Sequence, residues 1–388
     1  MSAVNQLQAL FKSPVVQTFN PYSRAVFNRL SRCHTKEMGM HCYQCNDEQC
    51  RHEHLQYHSC GNRHCPNCGC MRKEEWIENR TSELLPTPYY HVVFTLPHEF
   101  NTLIMANREA LFKMLFDAAA ETLANYSRMS EFLGAESGVT MVLHTWGQNL
   151  SFHPHVHCIV TGGGYANGKW VEAKRKNQKF LFPEPGLMKM YKKIFLDKLR
   201  NAKYLKLEGI NLPKRIETTG YKKWNVYAKA PFGGPAQVVE YLGRYTHKIA
   251  ITKHRILKID QGRVYFKYKD YADGNKTKHM SLTNEEFLAR FEQHILPRRF
   301  VKIRHYGFLQ NRNKKNRIAE IKTSLNMEPT KPQVKIPVAQ RMLEKFGKDV
   351  FKCPSCENGR LVLVKTIRPY KDYKINIESK NKASPALN

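Results

Sequence analysis

The chain has 388 residues, enough for more than one domain and a sizeable core, which excludes a small stapled peptide. Its 63 Lys and Arg against 33 Asp and Glu leave a formal charge of +30, while 41% hydrophobic and 11% aromatic residues exclude a wholly disordered polycation. No apolar run approaches the ~18 residues of a membrane span, and residues 1–20 lack the make-up of a signal peptide, so a cytoplasmic protein with a polyanionic partner and no membrane is expected.

Eight of the 11 cysteines fall between Cys33 and Cys70 among several histidines, a clustering that in a reducing compartment reads as metal binding. Cys42-x2-Cys45, Cys45-x4-Cys50 and Cys65-x2-Cys68 have the spacing of tetrahedral zinc sites. The favoured ligands are Cys45, Cys50, Cys65 and Cys68; Cys42 or Cys60 could replace a member, and a second zinc is compatible with the count. A basic helical continuation over 71–85 ends at Pro86 and Pro88.

Residues 89–96 (YYHVVFTL) then read as a buried strand, and 107–133 carry apolar residues at helical spacing. Two strands, 138–150 and 155–162, are expected to form a hairpin around a short turn containing Pro154. Beyond Gly162 to Gly164 the pattern weakens into a Lys-rich region up to Lys223, which reads as an insertion, before a strand over 224–230. Residues 235–247 (PAQVVEYLGRYTH) follow Gly233-Gly234 as a short helix interrupted by Gly243.

Strands over 249–259 and 264–268 come next, and Thr283 with Glu286 forms a capping box opening a helix that Pro297 ends. In 298–317, Arg298, Arg299, Lys302 and Arg304 alternate with Phe300, Tyr306 and Phe308, a pattern suited to phosphates and exposed bases. From Thr323 the chain is polar and punctuated by proline, with a Cys353-Pro-Ser-Cys356 turn that supplies half a metal site and a disordered end.

Two constellations carry chemistry. His155-Val156-His157 on a strand would project both imidazoles from one face, towards one divalent ion. Tyr241 and Tyr245, at i,i+4 on a helix, would present two phenols one turn apart, with Arg244, His247 and Lys248 available to hold phosphates.

The string FHPHVHCIVTGGG (152–164) followed by YLGRYTH (241–247) resembles the HUH endonuclease signature with its two-tyrosine motif. SCGNRHCPNC (59–68), LLPTPYYHVVFTLPHEFN (84–101) and LHTWGQNL (143–150) resemble, more closely, the rolling-circle transposases of the insertion-sequence-ninety-one family, the likeness running from about Cys33 to Cys356. That resemblance implies metal-dependent nicking and strand transfer of single-stranded DNA, with His155 and His157 as ligands to Mg²⁺ or Mn²⁺ and Tyr241 and Tyr245 as nucleophiles forming 5′-phosphotyrosine intermediates. It also implies a third ligand. Gln148 is the choice, its amide oxygen suiting a hard ion, with His144 and His153 as rivals.

The four-residue gap between Cys45 and Cys50 departs from the family pattern. No nucleotide cofactor is expected, because Trp170 stands where a Walker motif needs Ser or Thr, so unwinding would fall to host replication or helicase machinery. The expected architecture is α+β: a zinc-binding module over 1–85, an HUH domain over 86–310 with a mainly antiparallel sheet and the basic insertion about 165–223, and a basic tail over 311–388. Competing readings are a plasmid replication initiator or relaxase, and a non-catalytic zinc-dependent nucleic-acid-binding protein.

Overall fold

The computed structural model describes residues 3–174, 181–229, 249–271, 273–330 and 336–369, together with 237, 239, 240 and 243. In chain order the elements begin with α1 (Ala3–Leu10), α2 (Pro21–Ser31), β1 (Met40–Cys45), β2 (Glu53–Tyr57), α3 (Cys70–Thr81), β3 (Tyr89–Thr95), α4 (Asn101–Ala106) and α5 (Arg108–Arg128). Then follow β4 (Glu136–Trp146), β5 (Phe152–Ala166), β6 (Lys169–Glu172), α6 (Glu184–Arg200), α7 (Leu212–Tyr221) and β7 (Val226–Lys229). The remainder is β8 (Ile256–Asp260), β9 (Arg263–Asp270), β10 (Lys276–Thr283), α8 (Asn284–Gln293), β11 (Ile303–Tyr306), α9 (Lys314–Ser324), α10 (Val338–Phe346) and β12 (Leu361–Ile367).

These elements mix helix with antiparallel sheet, as expected. The chain divides into two compact units, one of Met1–Phe27 with Gly61–Lys335 and a second of Asn28–Cys60 with Ile336–Asn388.

The larger unit is organised by a sheet of order β11-β4-β5-β3-β7, with β6 on β5, and every pairing is antiparallel. Alternation gives its strands two unlike faces. Val156, Cys158 and Val160 of β5, with Val92 and Phe94 of β3 and Met141 and Leu143 of β4, are buried on the apolar face. Phe94 leads that face into a cluster of rings, 4.9 Å from Tyr191 of α6, with Phe100, Phe195 and Trp224 around it. The Lys-rich stretch is therefore no loose insertion, since α6 supplies Tyr191 and Phe195 to this core while its lysines stay outside. On the other face Tyr89, Val142 and Ile159 form a small core covered by Trp76 of α3, Leu84 and Ile303.

The hairpin turn is 147–151, not the segment around Pro154: the Gly147 amide donates to the Ser151 carbonyl at 2.9 Å and Pro154 lies inside β5. A second sheet, β10-β9-β8, adds a strand that the polar KTKHMSLT pattern concealed. The capping box holds, Thr283 Oγ1 accepting from the Glu286 amide at 3.1 Å, and α8 buries Phe287 and Phe291.

In the segment 298–317 the expectation of an exposed aromatic-basic groove fails in part. Phe300, Lys302 and Phe308 are buried, and the Arg304 guanidinium sits over the rings of Phe116 and Phe300 at 4.3 and 5.2 Å. Tyr306 is half-buried in β11, whereas Arg298 and Arg299 remain exposed. Apolar side chains in this segment complete the edge of the sheet instead of waiting for bases.

The smaller unit is a three-stranded antiparallel sheet of order β12-β1-β2, whose strands come from opposite ends of the sequence. Leu361 of β12, Cys45 of β1 and Cys353 form its buried centre. The segment beyond Thr323 is thus more ordered than its polarity suggested, while 370–388 lie outside the described residues.

Trp224 is buried at 1% exposure, stacks edge-on to Phe100, Tyr191 and Phe195, and donates its indole N–H to Thr219 O at 2.9 Å. Trp224→Ala is expected to destabilise the larger unit by about 3–5 kcal/mol, read as a fall in the urea midpoint. Acid should do the same by another route. Burial, aided by the charges of Arg63 and Lys302, pushes His64 down to about 3, and its Nε2 accepts from the Leu296 amide at 3.0 Å. Burial pushes His294 down to about 4. Only the unfolded chain takes up these protons near pH 6.5, so stability contributed by the neutral rings is complete above that value and is lost as pH falls towards 4. Urea titrations at a series of pH values would check the slope.

Candidate metal centre

Strand register assembles the histidines. On β5, His155 and His157 share a face by period two, and their cross-strand partners are His144 and Val142 on β4 and Thr95 and Val93 on β3. His144, His155 and His157 consequently bring one ring nitrogen each to within 4.8 Å of the others. Nε2 of His155 lies 3.1 Å from Nε2 of His157, and the His144 ring centroid is 4.2 Å from that of His157.

The surrounding hydrogen bonds set tautomers. His155 Nδ1 is 2.6 Å from the carbonyl of His153, which can only accept, so the proton sits on Nδ1 and the lone pair of Nε2 points into the cluster. His157 Nδ1 is 2.8 Å from Nε2 of His91 on β3, a contact that leaves its own Nε2 to face His155. Burial drives every member towards the neutral form: His155 is pushed down to about 3, His91 to about 4 with help from Lys229, and His144 and His157 well below the usual imidazole range. Neutral imidazole lone pairs this close repel one another unless a cation lies between them, and three such nitrogens suit a divalent transition ion with water completing its shell.

Not every expected member is present. Gln148 lies in the turn beyond β4, where its amide nitrogen donates to the Tyr271 hydroxyl at 3.1 Å and its carbonyl accepts from Arg255. The imidazole grouped with His155 and His157 is that of His144, from the strand itself. The reason is reach along the ladder: His144 faces His155 directly, whereas the ladder ends at Trp146 before Gln148 is reached.

Tyr241, Tyr245, Arg244, His247 and Lys248 lie outside the described residues. The described positions of that segment, 237, 239, 240 and 243, are helical. Gly243 is buried where a Cβ would stand 2.4 Å from Cγ1 of Ile77 on α3, so close helix packing explains a glycine inside a helix. Trp76, the next residue on α3, covers the histidine-bearing face of the sheet.

Lys302, expected to bind phosphate, is buried with its ammonium 4.9 Å over the Trp146 ring, and burial lowers it to about 7. Its charge also weighs on His144 and His157. His91 was not singled out from the sequence; its place two residues from Val93 in the strand pattern was the available signal.

The cysteines group differently from the favoured set of four. Cys65 and Cys68 belong to the larger unit, whereas Cys45 and Cys50 belong to the smaller one. Cys45 and Cys50 instead lie with Cys353 and Cys356.

Two family models match: residues 3–96 fit a transposase zinc-binding domain, and residues 138–317 fit a family described as "Putative transposase". A protein named "Putative transposase y4qJ" from Sinorhizobium fredii (strain NBRC 101917 / NGR234) is 37% identical over 357 residues, covering 88% of each chain. The chain belongs to the IS91 family of transposases. The transposase for insertion sequence element IS801 from Pseudomonas savastanoi pv. phaseolicola is 28% identical over 354 residues, covering 87% of this chain and 82% of its own. Among solved structures, a conjugative relaxase TrwC in complex with oriT DNA, in metal-bound form, overlaps 40% of this transposase and 70% of its own chain at 11% identity. Its TM-score is 0.25, too low to bear on fold or site.

Removing the ring that orients a ligand should weaken metal binding without unfolding the sheet. His91→Phe is expected to lower Mn²⁺ affinity by about 10–100-fold in calorimetric titration, whereas Gln148→Ala leaves it unchanged.

Proposed function

We propose that this transposase nicks single-stranded DNA at the ends of its own insertion element and transfers the strand through 5′-phosphotyrosine intermediates, in rolling-circle transposition. The observation that carries this reading is the convergence of His144, His155 and His157 on one face of the central sheet. A divalent ion held there, Mg²⁺ or Mn²⁺, would withdraw charge from a non-bridging oxygen of the scissile phosphate.

The transposase's own residues do the rest. The hydroxyl oxygen of Tyr241 or Tyr245 attacks phosphorus and loses its proton, the bond from phosphorus to the 3′ oxygen breaks, and that oxygen leaves as a protonated 3′-hydroxyl. The phosphotyrosine keeps the energy of the broken bond, so rejoining by a 3′-hydroxyl needs no nucleotide cofactor. Gly243, which stands between the two tyrosines in the sequence, packs on Ile77 of α3, the helix that covers the histidine face, and this supports choosing them as nucleophiles. The formal charge of +30 supports a DNA partner, and Arg244, His247, Lys248, Arg298 and Arg299 are the proposed phosphate contacts. Among the described residues no helix is long and apolar enough to cross a membrane, and the proposed place of action is the cytoplasm, with host helicase or replication exposing the single strand.

The decisive experiment incubates the protein with Mn²⁺ and labelled single-stranded DNA from its element's ends and resolves the products on a denaturing gel. A covalent adduct should form. Either Tyr241→Phe or Tyr245→Phe should abolish the first adduct, and His155→Ala or His144→Ala should reduce it by about 10²-fold or more. DNA binding without an adduct would support a non-catalytic binder instead.

A further inference from the structure

Cys353 and Cys356 lie beyond both family matches, which end at residues 96 and 317, and stood in the sequence as half of a site. The smaller unit supplies the other half. Antiparallel pairing of β12 with β1, from Leu361 opposite Cys45 to Ile367 opposite Met40 with one irregularity between Cys42 and Tyr43, brings the Cys353 to Cys356 turn against the end of β1. Cys45 Sγ then lies 3.6 Å from Cys356 Sγ, and Cys50 Sγ lies 3.8 Å from Cys353 Sγ. All four sulfurs fall within 4.8 Å of one another.

Those separations discriminate between two chemistries. A disulfide would hold its sulfurs at about 2.05 Å. Four thiolates at about 2.3 Å from a tetrahedral ion stand about 3.8 Å apart along each edge. The measured distances match the second figure.

Backbone geometry is built around the same point. The Asp47 carboxylate accepts from the amides of Gln49 and Cys50 at 2.9 and 3.0 Å, tightening the turn that aims Cys50. On the other side the Ser355 amide donates to Cys353 Sγ at 3.4 Å, a bond that stabilises a thiolate. Gly359 closes the turn, its amide-side neighbour chain held by Cys353 N donating to Gly359 O at 3.0 Å. A Cβ at Gly359 would stand 2.1 Å from Cys45 Sγ and 2.6 Å from Cys356 Sγ, so any other residue would occupy the space of the sulfurs. The Asn46 amide and side chain bracket Arg360 at 2.9 and 2.8 Å, which ties the two turns together.

We infer that Cys45, Cys50, Cys353 and Cys356 bind a structural zinc ion of their own, without Cys65 or Cys68 of the larger unit, and that this ion joins the C-terminal segment to the N-terminal strands. The site is entirely within the smaller unit and is independent of the nicking reading. Its donors are thiolates only, which select zinc over Mg²⁺ or Mn²⁺ and separate it spectroscopically from the imidazole cluster.

The test replaces zinc with Co²⁺ in the full-length protein and titrates thiolate-to-cobalt charge transfer, which an imidazole site does not produce. The parent is expected to hold one tetrathiolate equivalent more per chain than the Cys353→Ser/Cys356→Ser double variant. Equal numbers of equivalents in the two proteins would overturn the proposal. Should the variant not fold, alkylation rates in the zinc-loaded parent decide: Cys45, Cys50, Cys353 and Cys356 should react at least about tenfold more slowly than after chelation, with exposed Cys70 unchanged. Equal rates before and after chelation, or recovery of these four as disulfides, would sink it.

Discussion

Everything at the histidine centre depends on the ladder between β4 and β5. In that ladder His144 stands opposite His155 and Val142 opposite His157, so the donors converge without any loop having to hold them. Side-chain period two makes the arrangement unforgiving, since a slip of one residue would send His155 and His157 into the apolar face and Val156 out of it. The apolar face is itself what prevents the slip. Val156, Cys158 and Val160 are buried on the face from which Phe94 meets Tyr191 of α6, so the energy that fixes the register is hydrophobic although the site on the opposite face is polar.

This division of labour explains which parts of the molecule could be read from the sequence. Local patterns were legible: the β-branched run of β3, the i,i+3 capping box at Thr283 and Glu286, and the two imidazoles of β5 each depend on neighbours a few residues away. Helices in the Lys-rich stretch were obscured because α6 hides Tyr191 and Phe195 among lysines that only cover its outer side. Lys302 was misread for the opposite reason. A lysine in a basic run looks solvated, and only the tertiary fold reveals that it is buried with its ammonium over the Trp146 ring.

The third donor was left open among Gln148, His144 and His153 by local reading, and the cysteine partition was beyond it. Choosing His144 over Gln148 requires knowing where the hairpin turns, and the turn fell at 147–151 rather than near Pro154. Pairing Cys45 with Cys356 requires a contact across 311 residues, for which spacing rules within one cluster of cysteines carry no information. Grouping by proximity along the chain was a reasonable prior for a zinc knuckle, and strand pairing from the far end of the sequence overrode it.

Because β1 is flanked by β2 on one side and by β12 on the other, the smaller unit cannot be finished in the order in which the polypeptide is made. During synthesis β1 and β2 emerge early with one edge of β1 unpaired, while the larger unit, ending at Lys335, can already be complete. Only when Leu361–Ile367 has left the ribosome does that edge close. A chain cut short before Leu361 would therefore keep the sheet of the larger unit whole and leave one edge of β1 open, so closure of the smaller unit reports that synthesis has passed Ile367.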